Sequence, residues 1–181
     1  MTSKAFCPGN VSLVFKIIRN KDPKKMHSLG VGFTADKGVT VSVSEDHKNR
    51  YYINNRKIKR VDTIESVISS ITGRRFKVKI KTELPFGCGF GLSGASALAA
   101  AIAVNKELKL GISPKRLGMA AHAAEVKNRT GLGDVAGQFN GGFLIKYKKG
   151  APLKAKRLGI KGSVYYRVFG NLDTKKVITS K

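Results

Sequence analysis

A chain of 181 residues, 41% of them hydrophobic, is long enough to bury one core and predicts a single globular domain. No apolar run approaches the ~20 residues that cross a bilayer, and the opening residues lack a signal-peptide pattern, so we expect a cytoplasmic protein. Two cysteines, Cys7 and Cys88, are too few for a disulfide framework or a structural zinc site.

The net charge of +24 is the one unusual feature of the composition. Most of the basic residues lie outside residues 85–145, so they form a coat around that segment. Such a coat can hold RNA, attract ATP or simply solvate the surface. Nucleic-acid binding is thus disfavoured by the pattern without being excluded.

The first half of the chain predicts scaffold strands. The turn at Pro8-Gly9 precedes the apolar run 11–18, which predicts a buried strand. Residues 28–36 predict a loop entering a strand, where Ser28 is either a substrate contact or a turn hydroxyl. Residues 39–43 predict a strand, and Asn54-Asn55 predict a hairpin between residues 51–53 and 56–59.

A helix and an alternating strand follow. Asp62 and Glu65 have the spacing of a capping box at the start of a helix that Gly73 ends. Residues 76–81 alternate apolar residues with lysine, the pattern of an antiparallel strand with one face open to water.

The stretch from Pro85 to Ala103 predicts a phosphate-binding loop that runs into an alanine-rich helix. Glycine lets successive N–H groups converge on an anion, and the helix N-terminus adds its positive dipole. The hydroxyls of Ser93 and Ser96 are placed to contact phosphate or its metal, although Ser93 also fits a helix cap. The glycines lie at positions 87, 89, 91 and 94.

Residues 89–94 also satisfy G-x-G-x-x-G, the fingerprint of dinucleotide-binding folds. A dinucleotide-binding sheet is parallel and buried on both faces, whereas the strand at 76–81 carries lysine on one face. The Walker A pattern fails because no Gly-Lys-Ser/Thr follows the glycines.

The candidate catalytic carboxylates come after the glycine loop. Ser113-Pro114 predict the start of a helix that runs to about Asn128, with His122, Glu125 and Arg129 on one face. Asp134 follows in the glycine-flanked sequence GLGD. Phosphoryl transfer needs a divalent cation and a group that positions the attacking hydroxyl, and we assign Glu125 to the first role and Asp134 to the second. The competing interpretations are a solvated helix acid for Glu125 and a helix N-cap for Asp134.

The remaining elements lie near the C-terminal end. Gly141-Gly142 lead into a predicted strand at 143–147 that would bring Lys146 close to Asp134. Residues 163–169 predict another strand, followed by a turn toward Thr174, which is either a substrate contact or a turn residue. His122 is either a substrate contact or a packed residue.

The motif from Pro85 to Ala97, with its core GLSGASA, resembles the second motif of the GHMP small-molecule kinases. Together with AHAAEVKNRTGLGDVAGQ it is most similar to the archaeal pantoate kinases. The resemblance implies an α+β fold with a mostly antiparallel sheet backed by helices, the GHMP-kinase N-terminal (ribosomal-protein-like) domain, and a phosphate loop at a strand-to-helix junction. It also implies ATP and Mg²⁺ as cofactors and transfer of the γ-phosphoryl group of ATP to pantoate, in archaeal coenzyme A biosynthesis.

The resemblance assigns roles to particular residues. Asp134 is the catalytic residue, and Glu125 with Ser93 and Ser96 holds the metal. The substrate contacts are Ser28, His122, Arg129, Lys146 and Thr174. The ATP-binding residues are Pro85, Gly87, Gly89, Gly91, Leu92, Ser93, Gly94, Ala95 and Ser96.

Three departures from the family pattern stand out. Asn10 occupies a position where the family often has lysine or arginine, so a basic catalytic group is missing there. Lys146 replaces an arginine, which loses the two-pronged grip on a carboxylate. Residues 1–181 correspond to the N-terminal ATP-binding domain, and a C-terminal GHMP domain is not expected within the chain.

That last departure leaves several hypotheses open. The chain is a fragment, half of a split enzyme with a separately encoded C-terminal half, or an inactive relative; a homodimer is also possible. A kinase of another small hydroxy acid and a basic RNA-binding module are the alternative functions.

Overall fold

The computed structural model describes residues 2–160 and 162–170, which form seven strands and four helices. The strands are β1 (Ser3–Ile18), β2 (His27–Glu45), β3 (Arg50–Ile53), β4 (Arg56–Ile58), β5 (Phe76–Thr82), β6 (Phe143–Lys146) and β7 (Lys156–Leu158). The helices are α1 (Asp62–Ile71), α2 (Leu92–Glu107), α3 (Pro114–Asn128) and α4 (Asp134–Asn140).

All seven described strands join one sheet, in which the long strand β2 pairs with three others. One edge of β2 pairs with β1 along nearly its whole length. The other edge pairs with β6 at residues 30–33 and with β5 at residues 39–45. Only the β3–β5 pair is parallel among the described strands, so the sheet is mostly antiparallel, as predicted.

The helices supply the second layer. Helix α2 packs against β1 and β2, and α1 and α3 pack against α2. The core joins the inward-facing valines of β2 at positions 39, 41 and 43 to the alanines of α2, which are fully buried. Small side chains let α2 approach the sheet closely, and this places the glycine loop at its N-terminus over the end of β5. No helix in residues 2–160 and 162–170 is long and apolar enough to cross a membrane.

Most of the predicted elements are confirmed. The hairpin forms around Asn54 and Asn55, which have φ values of 46° and 67°. Strand β5 alternates buried and more exposed residues and runs antiparallel to β2, which is incompatible with the parallel sheet of a dinucleotide-binding fold. Helix α3 begins at Pro114, directly after Ser113.

Several predictions about local structure are wrong. Residues 28–36, predicted as a loop entering a strand, lie within β2, and the predicted turn at Pro8-Gly9 lies within β1 at a shift in its register. The run 11–18 is a strand, as predicted, but it is not buried, since Leu13, Val14 and Phe15 are exposed. The N-cap of α1 is Val61, so Asp62 is the first helical residue and does not form the predicted capping box; Asp62 and Glu65 both pair with Arg60. Residues 163–169 form no strand in the described part of the chain.

Candidate active site

The glycine loop after β5 has the backbone that a phosphate cradle requires. Gly87, Gly89 and Gly91 all have positive φ values, of 75°, 83° and 58°. Gly91 is the N-cap of α2, in the left-handed conformation, so Ser93 does not cap this helix. The loop therefore leads directly to the free N–H groups at the start of a sixteen-residue helix.

Asp134 lies against this loop. It is the first residue of α4, with Gly133 as the N-cap, so Asp134 itself does not cap the helix. A Cβ added to Gly91 would lie 2.9 Å from Asp134 Cγ, which shows how closely the carboxyl group approaches the loop. Asn10 Nδ2 donates a hydrogen bond to Asp134 Oδ1 (2.8 Å) and holds the carboxyl group there.

Glu125 lies beside the start of α2 and is 1% exposed. Its side chain packs between two glycines: an added Cβ would be 2.6 Å from Glu125 Oε2 at Gly94 and 2.5 Å from it at Gly131. The Thr130 hydroxyl donates to Glu125 Oε1 at 3.4 Å. Two glycines thus make the space in which this buried carboxylate fits.

Lys146 brings a cation to the same site. Its Nζ is buried and donates to Ser28 Oγ (3.0 Å) and to the carbonyl oxygen of Gly133 (3.1 Å). Gly133 directly precedes Asp134, so the predicted approach of Lys146 to Asp134 is confirmed. Residues from β2, α3, α4 and β6 therefore meet at the glycine loop.

Burial and mutual charge control the titration of this cluster. Burial, followed by the charge of Asp134, raises the pKa of Glu125 well above its ordinary value. Burial also raises the pKa of Asp134, while Asn10 and then Lys146 act in the opposite direction. Burial lowers the pKa of Lys146, and the two carboxylates oppose that shift. Two acids and one base share a dry site, which is the arrangement expected of a functional centre.

Replacing Glu125 by Gln is expected to stabilise the protein at pH 8 and to have little effect at pH 4. A carboxyl group whose pKa is raised on folding contributes stability below its ordinary pKa, and that contribution is lost as the pH rises through the raised value. Glutamine does not ionise, so the variant keeps its unfolding free energy as the pH rises. The difference from the parent amounts to about 1.4 kcal/mol for each tenfold decrease in the acid dissociation constant of Glu125 on folding. Urea unfolding of the variant and the parent between pH 4 and 8 measures the difference.

Glu83→Gln is the matched control, because this carboxylate is 73% exposed and sits in a surface ion pair with Lys37. It should leave the pH dependence of unfolding unchanged. Parallel curves for Glu125→Gln and the parent protein would contradict the buried, charge-repelled state of Glu125.

Three other residues, His122, Arg129 and Thr174, were predicted to contact the substrate. His122 is buried and donates from Nε2 to the carbonyl oxygen of Met26 (2.9 Å), and burial lowers its pKa to about 4. Arg129 is exposed at the C-cap of α3 with φ 56°, so it leaves the helical face that it was predicted to share with Glu125. Thr174 lies outside the described residues.

The two predicted serines differ in their surroundings. Ser93 Oγ lies 3.2 Å from Thr63 Oγ1, in a contact between α2 and α1. Ser96 Oγ is fully buried and has no hydrogen-bond partner among residues 2–160 and 162–170. Ser96 is thus the hydroxyl that is left without a bond inside the described fold.

Asn10 and Gln138 are site residues that the sequence analysis missed. Gln138 Nε2 donates to the carbonyl oxygen of Gly91 (2.8 Å), which fixes the N-cap of α2. The side-chain oxygens of both residues are buried without a partner in the described chain. The position of Asn10 directly after Pro8-Gly9 was the available signal. Strand β1 shifts its register there, and the Asn10 N–H donates to the carbonyl oxygen of Phe90 in the glycine loop.

Comparison with known proteins agrees with this geometry. Residues 56–142 match the family described as the GHMP kinases N terminal domain. The chain is 32% identical to the pantoate kinase of Methanocaldococcus jannaschii, over 97% of this chain and 65% of that protein. It is 29% identical to the pantoate kinase of Thermococcus kodakarensis, over 98% and 63%. The chain therefore spans less than two thirds of the curated relatives that it matches.

Solved structures give the same picture of the fold. A phosphotransferase described as related to the coenzyme A biosynthesis pathway superposes with a TM-score of 0.82 at 29% identity, over 89% of this chain and 58% of that one. Homoserine kinase from Cytophaga hutchinsonii superposes with a TM-score of 0.65 at 21% identity, over 88% and 52%. The sheet order, the glycine loop and these matches agree on the fold, which is that of a GHMP-kinase N-terminal domain.

Proposed function

We propose that this domain takes part in the ATP-dependent phosphorylation of pantoate to 4-phosphopantoate, a step toward coenzyme A. The observation that carries the proposal is the buried cluster of Glu125, Asp134 and Lys146 at the mouth of a glycine loop. The names of the curated relatives supply the acceptor. The fold supplies the class of reaction.

The triphosphate of ATP is proposed to lie along residues 85–96. Positive φ values at Gly87, Gly89 and Gly91 open the backbone to a close approach, and the N-terminus of α2 favours negative charge. Gln138 holds the carbonyl oxygen of Gly91 and so keeps the loop in register with the helix. Catalysis of phosphoryl transfer depends mainly on such positioning and on charge stabilisation.

The residues present fit a hard cation such as Mg²⁺. Burial, followed by the charge of Asp134, raises the pKa of Glu125, so a cation near these carboxylates would favour their ionised forms. Glu125 would hold it, together with the hydroxyls of Ser93 and Ser96 that the sequence analysis selected. The bound metal supplies neutralisation of the phosphate charge, and Ser96 Oγ is a free oxygen ligand within the described fold.

Lys146 and Ser28 are proposed to bind the carboxylate of the acceptor. Among the described residues, the hydrogen-bond partners of Lys146 Nζ are neutral oxygens, Ser28 Oγ and the Gly133 carbonyl. The ammonium group also lies next to Asp134, the residue that would face the acceptor hydroxyl. A buried ammonium group favours an anionic ligand strongly. Asp134 then orients that hydroxyl and accepts its proton.

Replacing Lys146 by Met is expected to raise the KM for pantoate at least about 30-fold, the effect of ~2 kcal/mol for the loss of one partner of a buried charge pair. The KM for ATP should change less than about threefold, because ATP binds the glycine loop. The exposed Lys148, two residues further on, provides the matched variant Lys148→Met, which should leave both constants unchanged. Equal rises in both KM values would remove Lys146 from the acceptor site.

Turnover is first measured with this chain alone and then with a candidate second half added, since the relatives that it matches are longer. We propose that residues beyond this domain complete the site, whether they come from the same polypeptide, a separately encoded half or a homodimer. Full turnover by the chain as a monomer would overturn that part of the proposal. ATP binding without pantoate phosphorylation in any of these forms would overturn the choice of acceptor. The cytoplasmic location stays a prediction.

A further inference from the structure

A cavity of about 700 Å³ lies between α1, α3 and the segment Asp22–Lys24. We call it the α1–α3 groove. Its volume falls within the range of small-molecule sites. None of the residues of the glycine loop lines it, and neither do Glu125, Asp134 or Lys146. The groove is therefore a separate feature of the domain.

The helical period explains the separation from the active site. Glu125 and His122 point inward from α3, whereas Ala123 and Lys127 lie about 200° from Glu125 around the helix axis. Lys115, Met119, Ala123 and Lys127 repeat at intervals of four residues and form one line along the groove. That line is about 18 Å long at 1.5 Å per residue.

The middle of the groove is apolar and incompletely covered. Met119, Ala120 and Ala123 of α3 are half-buried, as are Ile71 at the end of α1 and Ile112 before α3. The two serines that α1 contributes already have partners: Ser66 Oγ accepts from Asn128, and Ser70 Oγ donates to the carbonyl oxygen of Val67. The floor thus offers apolar contact and few unsatisfied polar groups.

The rim of the groove is strongly basic. Lys24, Lys115, Arg116 and Lys127 are all exposed, and no carboxylate lies within 4.0 Å of them as an ion pair in the described chain. Asp22 is the only acid among the described residues that line the groove, and its Oδ1 accepts the backbone N–H of Lys24 (2.9 Å). Four cations and one carboxylate therefore surround an apolar floor, which leaves the rim with an excess of positive charge.

We propose that the α1–α3 groove binds a small organic anion with an apolar body and a phosphate, sulfonate or carboxylate head group. The apolar floor contacts the body, and the rim cations pair with the head group. A second copy of this chain would bring like charge to a basic rim. Single-stranded RNA uses aromatic platforms for its bases, and no aromatic residue of the described segments lines the groove.

The test is a fluorescence titration with 8-anilinonaphthalene-1-sulfonate, a dye that has this chemistry, at low and at high salt. Wild-type protein should bind the dye saturably, and N-phenyl-1-naphthylamine, which lacks the sulfonate, should bind at least about tenfold more weakly. Salt should weaken the binding of the sulfonate dye only. Equal binding of the two dyes would show that the rim does not recognise the head group and would overturn the proposal.

Variants test whether the dye binds in the α1–α3 groove. Ala123→Phe fills the floor, and the pair Lys115→Glu with Lys127→Glu reverses the rim; each should weaken binding about tenfold. The control pair Lys48→Glu with Lys59→Glu makes the same change in net charge at exposed lysines outside the groove and should leave the affinity within about twofold. Circular dichroism checks folding, and the rim pair serves as the test if Ala123→Phe fails to fold.

Unchanged affinity in the rim pair would place the dye elsewhere and overturn the proposal. Sedimentation gives a second check. A dimer of the parent protein that dissociates in the rim variants would also overturn the proposal, because the groove would then be an interface between copies. These outcomes do not depend on kinase activity. Failure here would leave the proposed phosphorylation of pantoate untouched.

Discussion

Replacing Asp134 by Asn is expected to lower kcat by about 10²–10⁴-fold while magnesium-dependent ATP binding is retained. Asparagine has nearly the same shape and can still accept the hydrogen bond from Asn10 Nδ2. It cannot accept a proton from the acceptor hydroxyl. The variant therefore removes the proposed chemistry and keeps the geometry of the loop.

The pH dependence of the parent enzyme gives a second readout of the same residue. Burial raises the pKa of Asp134, so its carboxylate becomes protonated at a higher pH than an exposed aspartate does. The activity should fall as the pH drops through this raised value, on the acid side of the profile. In Asp134→Asn, the residual rate should lose that dependence.

Kinetics are measured on the form of the protein that turns over, with ATP binding followed by calorimetry. Glu45→Gln is the control, because this carboxylate is 47% exposed, at the end of β2, and pairs with Arg74. It should retain full kcat. Turnover of Asp134→Asn within tenfold of the parent would remove Asp134 from the proposed mechanism.

The sequence analysis identified the carboxylates of the site but not the residues that hold them in place. Glu125, Asp134 and Lys146 follow from helical spacing, a glycine-flanked loop and family resemblance, all of which are local signals. Asn10 was set aside because the family often has a basic residue there, yet it contacts Asp134 across 124 positions of the chain. A contact between such distant residues depends on how β1 and α4 pack together, and no periodicity reports it.

The wrong predictions share a physical cause. An apolar run predicts a strand, but the burial of its side chains depends on which elements pack over the faces of the sheet, and Leu13, Val14 and Phe15 stay exposed. Residues 163–169 likewise predict a strand, which would need a neighbouring strand to bond with. The capping box at Asp62 did not form because the N-cap of the helix is Val61, one residue earlier, and Asp62 and Glu65 pair with Arg60. Each of these outcomes was decided by tertiary partners.

Gly91→Ala is expected to lower kcat/KM about 10²-fold, because it displaces Asp134. The added methyl group would lie 2.9 Å from Asp134 Cγ and 3.0 Å from Asp134 Cβ. The Asn10 bond holds the carboxyl group on one side, so the side chain cannot move away without losing that partner. The φ of 58° at this N-cap adds about 1–2 kcal/mol of strain for any residue with a Cβ.

Gly111→Ala separates the strain from the displacement. Gly111 has a similar φ of 66°, and an added Cβ there meets nothing within 4 Å. Gly111→Ala should lose about 1–2 kcal/mol of unfolding free energy and Gly91→Ala at least as much, but only Gly91→Ala should lose activity. In the Asp134→Asn background, Gly91→Ala should add much less than its own 10²-fold effect, because the group that it displaces is already inactive. Fully additive losses would show that the methyl group acts on the bound phosphates, and the close contact between Gly91 and Asp134 would then have no catalytic role.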